Sequence, residues 1–426
     1  MATQSSRRMQ FWSSAGALLL GVALALNGCA SGSGSTSGSV SGHVSSGGSA
    51  SVAATHASGG SAPTATPRPA PPHAFAWYQF DSHSAPQIWA SVNGASPTQI
   101  THIAPPDPNG CDNELAWSPP VFSPDLTHIV AAVGGYGCGD GDLSGSLSVI
   151  TVSGGTVTNV PTPASISMRL TERDAGWLDA HTIWFIGDDG NAYTYSLGAA
   201  SPAQLPGISG AIEGAVRGST FFWQSVSTAT TAWSYTLHRY DIGAHSALAG
   251  SVSQGAWGPC QCSPGDLASP GWDASPDGAH IAYQVVTPSS STSGGITSSH
   301  IYYAAADGSG ANQIARAMVT TTQVKMQISP DGHWVAFTQA APTPMTLTAS
   351  VSSPGGSGDT TFHAYSPDTY DYPVWKWDSS QFWAASGAAP GNPGSGTSSS
   401  LYRFNLGGSS SVGVAGGVNP WYTIGG

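Results

Sequence analysis

The sequence has little charge, and positive charge is especially scarce. Only 8% of its 426 residues are Asp, Glu, Lys or Arg, and the formal net charge is −12. Lys325 and Lys376 are the only lysines. Binding to nucleic acid depends on clustered cations that neutralise phosphates. The composition therefore argues against a nucleic-acid partner.

Long apolar runs are also missing. The run from Ala15 to Leu26 is too short to cross a bilayer comfortably as a permanent helix. Arg7 and Arg8 precede it, and it ends in the sequence LNGC, whose cysteine is Cys29. A basic region, an apolar region and this ending resemble a bacterial lipoprotein signal. We predict that residues 1–28 are a signal peptide and that Cys29 carries the lipid, with palmitate among its acyl chains.

Two other interpretations of this segment stay open. An ordinary secretory signal followed by a chance cysteine would leave the protein unanchored. The twin arginines follow Ser6 and precede Phe11, so export by the twin-arginine route is an alternative to the general secretory route. All of these interpretations place the folded part outside the cytoplasm, and the lipoprotein interpretation places it at the cell membrane or envelope.

Residues 30–72 contain no apolar periodicity. They consist mainly of Ser, Gly, Thr, Ala and Pro, and Arg68 is their only formal charge. Such a segment cannot build a core. We predict a flexible linker over residues 29–72, with an average reach of roughly 35–40 Å, and a folded domain over residues 73–426.

Cysteine is scarce too, with five in the whole chain. Lipidation of Cys29 would leave Cys111, Cys138, Cys260 and Cys262, an even number in an oxidising compartment. A four-thiolate metal site is disfavoured there, since Cys260 and Cys262 lack the usual Cys-x-x-Cys spacing. Disulfides are therefore expected.

One phrase recurs along the folded part. It reads FSPDLTHIV, ASPDGAHIAY and ISPDGHWVAF, and its aspartates are Asp125, Asp277 and Asp331. Pro presets a β-turn, Ser and Asp bond nearby backbone groups, and Gly relieves strain. Further, degenerate copies place Asp179, Arg217 and Asp378 at the aspartate position. Four residues after each aspartate position comes an apolar residue that begins a predicted strand: Ile129, Ile183, Phe221, Ile281, Val335 and Phe382.

Repeats of about 40–55 residues with four short strands are typical of propeller blades. The chain ends complement each other. Three strands near Phe75, Gln87 and Thr98 lack a first strand, and the segment from Asn419 to Gly426 is a first strand that lacks the other three. We predict an all-β, seven-bladed β-propeller closed by a blade that both ends share. Six or eight blades are alternatives, as is a β-sandwich or a pair of smaller β-domains.

The two strong copies of the phrase, with strands such as HIYYAAADGSGANQIAR from His300, resemble the repeats of TolB-type, WD40-like propellers. The resemblance covers most of residues 73–426. It implies a propeller fold, and the repeat motif itself implies no catalytic residue. The periplasmic namesake of the family carries an α/β domain before its propeller, where this chain has its linker.

The Gly-rich stretch GYGCGDGDLSG suggests a cation site. Asp140, Asp142 and Ser144, followed by Gly145, match the first half of a calcium loop. Position twelve of that loop would be Thr151, which is not the usual Glu. A hairpin with solvated carboxylates is the alternative. Calcium is the one cofactor that the sequence suggests.

The cysteine positions test the arrangement of loops. Successive propeller loops alternate between the two faces, so Cys111 and Cys138 should lie on one face beside a single blade. We predict a Cys111–Cys138 disulfide. In the chain-entropy model, closing this loop raises the free energy of unfolding by roughly 3 kcal/mol. Cys260 and Cys262 lie on that face across the channel, and would pair with each other or remain thiols.

First strands line the channel of a propeller, and polar residues near their starts are candidate ligand-binding residues at one channel mouth: Glu114, Arg173, Asp174, Glu213, Asp266 and Lys325. Charged residues in wet loops are the alternative. No Gly-x-Ser-x-Gly elbow occurs, so a propeller-associated hydrolase is unsupported.

These observations predict a membrane-anchored, extracytoplasmic module that binds or scaffolds a protein or a small ligand. Two alternatives stay open. The first is a propeller enzyme of lyase, lactonase or glycosidase type that uses channel residues. The second is a sensory or envelope-assembly partner of a membrane protein.

Overall fold

The described part of the fold is built from short strands, nearly all of which pair antiparallel. The computed structural model describes residues 73–80, 86–102, 113–116, 120–136, 143–161, 173–229, 232–257, 269–288, 296–316, 324–342, 345–356, 360–365, 373–376, 378–386, 400–406, 411–416 and 418–425. All of them belong to one unit, Ala70–Gly426. Within these ranges, no helix is long and apolar enough to cross a membrane.

The strands, in chain order, are β1 (Ala74–Phe80), β2 (Pro86–Val92), β3 (Thr98–Gln99), β4 (Asn113–Ala116), β5 (Val121–Phe122), β6 (His128–Tyr136), β7 (Leu143–Thr151), β8 (Val157–Asn159), β9 (Ala175–Trp177), β10 (Thr182–Ile186), β11 (Ala192–Ser196), β12 (Ala203–Gln204), β13 (Ala211–Arg217), β14 (Thr220–Ala229), β15 (Ala232–Asp241), β16 (Ser246–Ala247), β17 (Val252–Trp257), β18 (Trp272–Ala274), β19 (His280–Pro288), β20 (Ile296–Ala305), β21 (Asn312–Arg316), β22 (Lys325–Ile328), β23 (Val335–Pro342), β24 (Met345–Ser352), β25 (Thr360–Tyr365), β26 (Val374–Trp375), β27 (Gln381–Ser386), β28 (Ser400–Asn405), β29 (Ser411–Gly416) and β30 (Val418–Gly425).

Strand pairing follows the predicted repeat. Four-stranded sheets have the orders β12-β11-β10-β9, β22-β23-β24-β25 and β26-β27-β28-β29. A fourth sheet has the order β4-β6-β7-β8, and β5 also pairs with β6. The largest sheet runs β13-β14-β15-β17-β19-β20-β21, with β16 on β15 and β18 on β19. The first four of these sheets are antiparallel meanders of the kind that forms a propeller blade, and the largest joins two such meanders through the parallel pairing of β17 with β19.

The first strands of successive repeats contact one another in a closed order. The contacts run from β5 through β9, β13, β18, β22, β26 and β30 and return to β5. The sheets are therefore arranged around an axis, and the prediction of an all-β propeller is confirmed. The blade number of seven stays a prediction, because the largest sheet continues across two repeats.

The two ends of the described chain share one sheet, as predicted. Its order is β3-β2-β1-β30, and β1 pairs with β30 from Ala74 opposite Gly425 to Gln79 opposite Val418. The register shifts between Trp77 and Gln79. This pairing removes a free sheet edge that would otherwise be open to association with other chains.

The residues predicted to begin the second strands form the centre of the core. At most 1% of the surface of each is exposed: Ile129, Ile183, Phe221, Ile281, Val335 and Phe382. They lie on β6, β10, β14, β19, β23 and β27, one in each repeat. The spacing of the turn phrase therefore sets which face of each second strand is buried.

The serine of the turn phrase explains why the phrase recurs. Ser275 donates a hydrogen bond to Asp277 Oδ1 at 2.5 Å, and its hydroxyl accepts one from the His280 amide at 2.9 Å. The hydrogen bond from the Ser275 hydroxyl lowers the pKa of Asp277 below its ordinary value. The same two bonds recur at Ser123 and Ser329. In these three turns, a buried serine hydroxyl thus joins both sides of the turn and accepts a hydrogen bond from a backbone amide.

Two glycines permit close contact between neighbouring repeats. Gly255 has a φ of +82°, and a Cβ at this position would lie 1.9 Å from the Val286 carbonyl oxygen. A Cβ at Gly271 would lie 1.6 Å from the Val324 carbonyl oxygen. Any larger residue would push the sheets apart, since such distances are far inside van der Waals contact. The first of these contacts joins β17 to β19 and merges two repeats into the largest sheet.

The register of β4 and β6 bears on the predicted disulfide. Asn113 lies opposite Tyr136. Cys111 precedes Asn113 by two residues and Cys138 follows Tyr136 by two, and both cysteines lie outside the described residues. The predicted Cys111–Cys138 disulfide requires the two Cα atoms to lie within about 7 Å of each other. We therefore expect a non-reducing peptide map to link these two cysteines. A link from Cys111 to Cys260 or Cys262 would contradict the prediction.

Candidate functional site at the propeller axis

Four of the predicted channel residues have described side chains. Arg173 and Asp174 immediately precede β9, Glu213 lies on β13, and Lys325 begins β22. All four therefore lie on or beside first strands, as the repeat predicted. Glu114 lies on β4 with its side chain outside the described part, and Asp266 is outside it altogether.

A buried carboxylate, Asp273 of β18, organises the described part of this region. Only 1% of its side chain is exposed. Its Oδ1 accepts hydrogen bonds from Arg173 at 3.4 Å and from Arg217 at 3.1 Å, and its Oδ2 accepts one from the Ile328 amide at 2.8 Å. Both carboxylate oxygens are therefore engaged by charged or backbone donors, as a buried charge requires.

Arg173 connects strands that are not neighbours in the ring. It also donates to the carbonyl oxygens of Trp272 at 2.6 Å and Met326 at 3.3 Å. Its guanidinium carbon lies 5.1 Å from the centre of the Trp272 ring. The side chain thus passes β13 to reach β18 and β22, through the space that the first strands enclose. One arginine joins three repeats across the axis.

Arg217 makes the shorter connection between β13 and β18. Its Nε donates to the Ala274 carbonyl at 3.1 Å, in addition to the ion pair with Asp273. The exposed fractions of the Arg173 and Arg217 side chains are 12% and 28%. Because the group is largely withdrawn from water, its attraction is screened less than that of a surface pair.

The other predicted residues here are also withdrawn from solvent. Asp174, Glu213 and Lys325 are 2%, 8% and 6% exposed, respectively. Glu213 accepts a hydrogen bond from Ser269 at 2.7 Å. The described axial residues are therefore internal, and the hydrogen bonds of Arg173, Arg217 and Asp273 connect the first strands β13, β18 and β22. Their predicted role in ligand binding stays a prediction.

Sequence reasoning missed Asp273 and interpreted Arg217 only as a degenerate turn position. The signal for Asp273 was present, since a carboxylate between Trp272 and Ala274 interrupts an apolar first strand and needs a partner. Its partners could not be chosen from the sequence, because Arg173 and Arg217 lie in other repeats.

The predicted calcium loop and the cysteines fall largely outside the described residues. Asp140, Asp142 and all five cysteines lie outside them, and Ser144 lies on β7 with its side chain not described. In the described ranges, no group of three or more His, Cys, Asp or Glu side chains is arranged to hold a metal ion. Calcium binding therefore stays a prediction.

No protein-family model matches the sequence. No curated protein matches it either.

Solved structures are similar in fold at low sequence identity. An oligogalacturonate lyase from Vibrio parahaemolyticus is 11% identical, with 80% of this chain and 84% of that chain covered and a TM-score of 0.49. TolB from Acinetobacter baumannii is 10% identical, with coverage of 82% and 66% and a TM-score of 0.42. The β-propeller domain of the Trilobed protease from Pyrococcus furiosus is 9% identical, with coverage of 48% and 57% and a TM-score of 0.33. At the level of fold, the strand pairing of this chain confirms the β-propeller that its repeats predicted.

Proposed function

We propose that this protein is a lipid-anchored, extracytoplasmic β-propeller that binds a protein partner through the end of the propeller opposite its tether. The observation that carries the proposal is the pairing of β1 with β30. This pairing places the start of β1, where the linker joins, beside the end of β30. In the other repeats this position is occupied by the short turn between first and second strands.

The opposite end carries the longest connections, most of which join a last strand to the next first strand. Second strands join third strands there, and last strands join the next first strands. The connections from β17 to β18 and from β27 to β28 are each longer than any turn of the Ser-x-Asp type. Loops presented by a rigid scaffold are where binding residues usually lie. A tether at the turn end would leave this loop end free to meet a partner.

The hydrogen bonds of the axial arginines argue against catalysis at the axis and support a binding function. Arg173 and Arg217 are both committed to Asp273 and to backbone carbonyls. An arginine held in this way reinforces the ring and is not free to move toward a substrate. Recognition then falls to the surface of the loop end.

The anchor has a direct test. We expect the full chain to partition into detergent and to incorporate a palmitate analogue, and Cys29→Ser to lose the label, because that thiol is the predicted acylation site. Cys111→Ser is a matched control that should keep the label. Labelling that persists in Cys29→Ser would contradict the anchor.

The binding end has a separate test. A photo-crosslinking residue at Ser291, between β19 and β20, is expected to yield a discrete adduct in intact cells. The same residue at Ala244, in the exposed turn between β15 and β16, is the matched control and should yield none. Adducts from Ala244 and none from Ser291 would place the partner at the turn end and refute the proposal.

A further inference from the structure

The tight turn between β2 and β3 holds an asparagine followed by a glycine. Asn93 has a φ of +52° and Gly94 a φ of +74°, and the Ala95 amide donates to the Val92 carbonyl at 3.0 Å. A turn with positive φ at both central positions is of type I′, which favours Asn-Gly. Both residues are exposed. Each of the other asparagines in the described ranges precedes a residue that has a side chain.

Two hydrogen bonds hold Asn93 to His73, the residue before β1. The Asn93 amide donates to the His73 carbonyl at 2.7 Å, and the side-chain Oδ1 of Asn93 accepts from the His73 amide at 3.0 Å. A backbone N–H in this position draws electron density away from the side-chain carbonyl carbon, Cγ. It would also stabilise the negative charge that develops on Oδ1 when a nucleophile attacks Cγ. The side-chain amide is therefore both fixed and polarised.

The backbone nitrogen of Gly94 is the nucleophile that the sequence places beside this amide. Its attack on Asn93 Cγ closes a five-membered ring. Glycine leaves the nitrogen unhindered because it has no Cβ. A Cβ built at Gly94 would have no heavy atom of a residue beyond its chain neighbours within 4 Å, so the turn is open to water.

From these observations we infer that Asn93 is a site of spontaneous covalent modification, in which a succinimide converts it to aspartate and isoaspartate. The bond from the Gly94 nitrogen to Asn93 Cγ forms as the bond from Cγ to the side-chain nitrogen breaks. That nitrogen leaves as ammonia, and the proton it gains comes from the Gly94 amide through water. Water then opens the ring. Its attack at Cγ gives aspartate, and its attack at the main-chain carbonyl carbon gives isoaspartate.

The isoaspartate product would change the junction between the predicted linker and the propeller. Its main chain passes through Cβ and Cγ, so the turn is one bond longer and the acceptor for the His73 amide is displaced. The aspartate product keeps both the turn and the acceptor. This site goes beyond the proposed function, because it depends neither on the anchor nor on a partner at the loop end.

Incubating the full chain at mildly alkaline pH and mapping its peptides by mass spectrometry measures the conversion. Chromatography separates the two products, and an isoaspartate methyltransferase labels one of them. Asn312 is the internal control, since it is exposed on β21 and precedes Gln313. We expect Asn93 to convert at least about tenfold faster than Asn312, because the glycine that follows it leaves the attacking nitrogen unhindered.

Variants of His73 separate the effect of its amide from that of its side chain. His73→Pro removes the N–H that polarises Asn93 and should slow the conversion at least about threefold. His73→Ala keeps this N–H and is the matched control, which should convert as the unaltered chain does. If His73→Pro fails to fold, the comparison of Asn93 with Asn312 in the unaltered chain still decides the inference. Two results would overturn it: conversion at Asn93 no faster than at Asn312, or the same rate in His73→Pro as in His73→Ala.

Discussion

Replacing Asp273 with asparagine is expected to lower the free energy of unfolding by about 3 kcal/mol. The substitution keeps an oxygen for the Ile328 amide but removes the charge that holds Arg173 and Arg217. Two largely buried cations would then face each other without a counter-ion. Removing one partner of a buried ion pair typically costs about 3–5 kcal/mol. We expect the lower end of that range because Arg217 is partly exposed to water.

Equilibrium unfolding in urea, followed by tryptophan fluorescence, measures this loss. Asp188→Asn is the matched control, since Asp188 is exposed in the turn between β10 and β11. The control should change the free energy of unfolding by no more than about 0.5 kcal/mol. Equal effects of the two substitutions would mean that the axial cluster does not stabilise the ring.

Removing Asn419–Gly426 should have a larger effect. The deletion takes away almost all of β30, which pairs with β1 and contacts β5 and β26 on either side in the ring. Without it, β1 loses its inner neighbour and the closed order of first strands is broken. We expect loss of cooperative unfolding or outright insolubility, because unpaired strand edges invite aggregation.

Thermal unfolding and sedimentation of the soluble fraction distinguish the outcomes. The matched control removes eight residues from the predicted linker, residues 45–52, and should melt as the full chain does. A chain without β30 that melts cooperatively at the temperature of the full chain would show that the two ends do not close the propeller.

Local chemistry explains why so much of the propeller could be predicted. The turn phrase is short, and its Ser, Asp and strand-starting apolar residue act within a few positions of one another. Ser275 bonds Asp277 and His280, and Ile281 is buried directly after them. Closure could be predicted as well, because three strands without a first strand and one first strand alone complete each other.

The sequence by itself therefore determined the repeat, the buried face of each second strand, the sharing of one sheet by the two ends and the placing of Arg173, Asp174, Glu213 and Lys325 beside first strands. Only the tertiary structure decided the contacts among repeats. Asp273 forms ion pairs with Arg173 and Arg217, which lie in other repeats. The physical reason is that these contacts form only when the ring closes and the strands pair, and no spacing along the chain encodes which distant side chains then face each other.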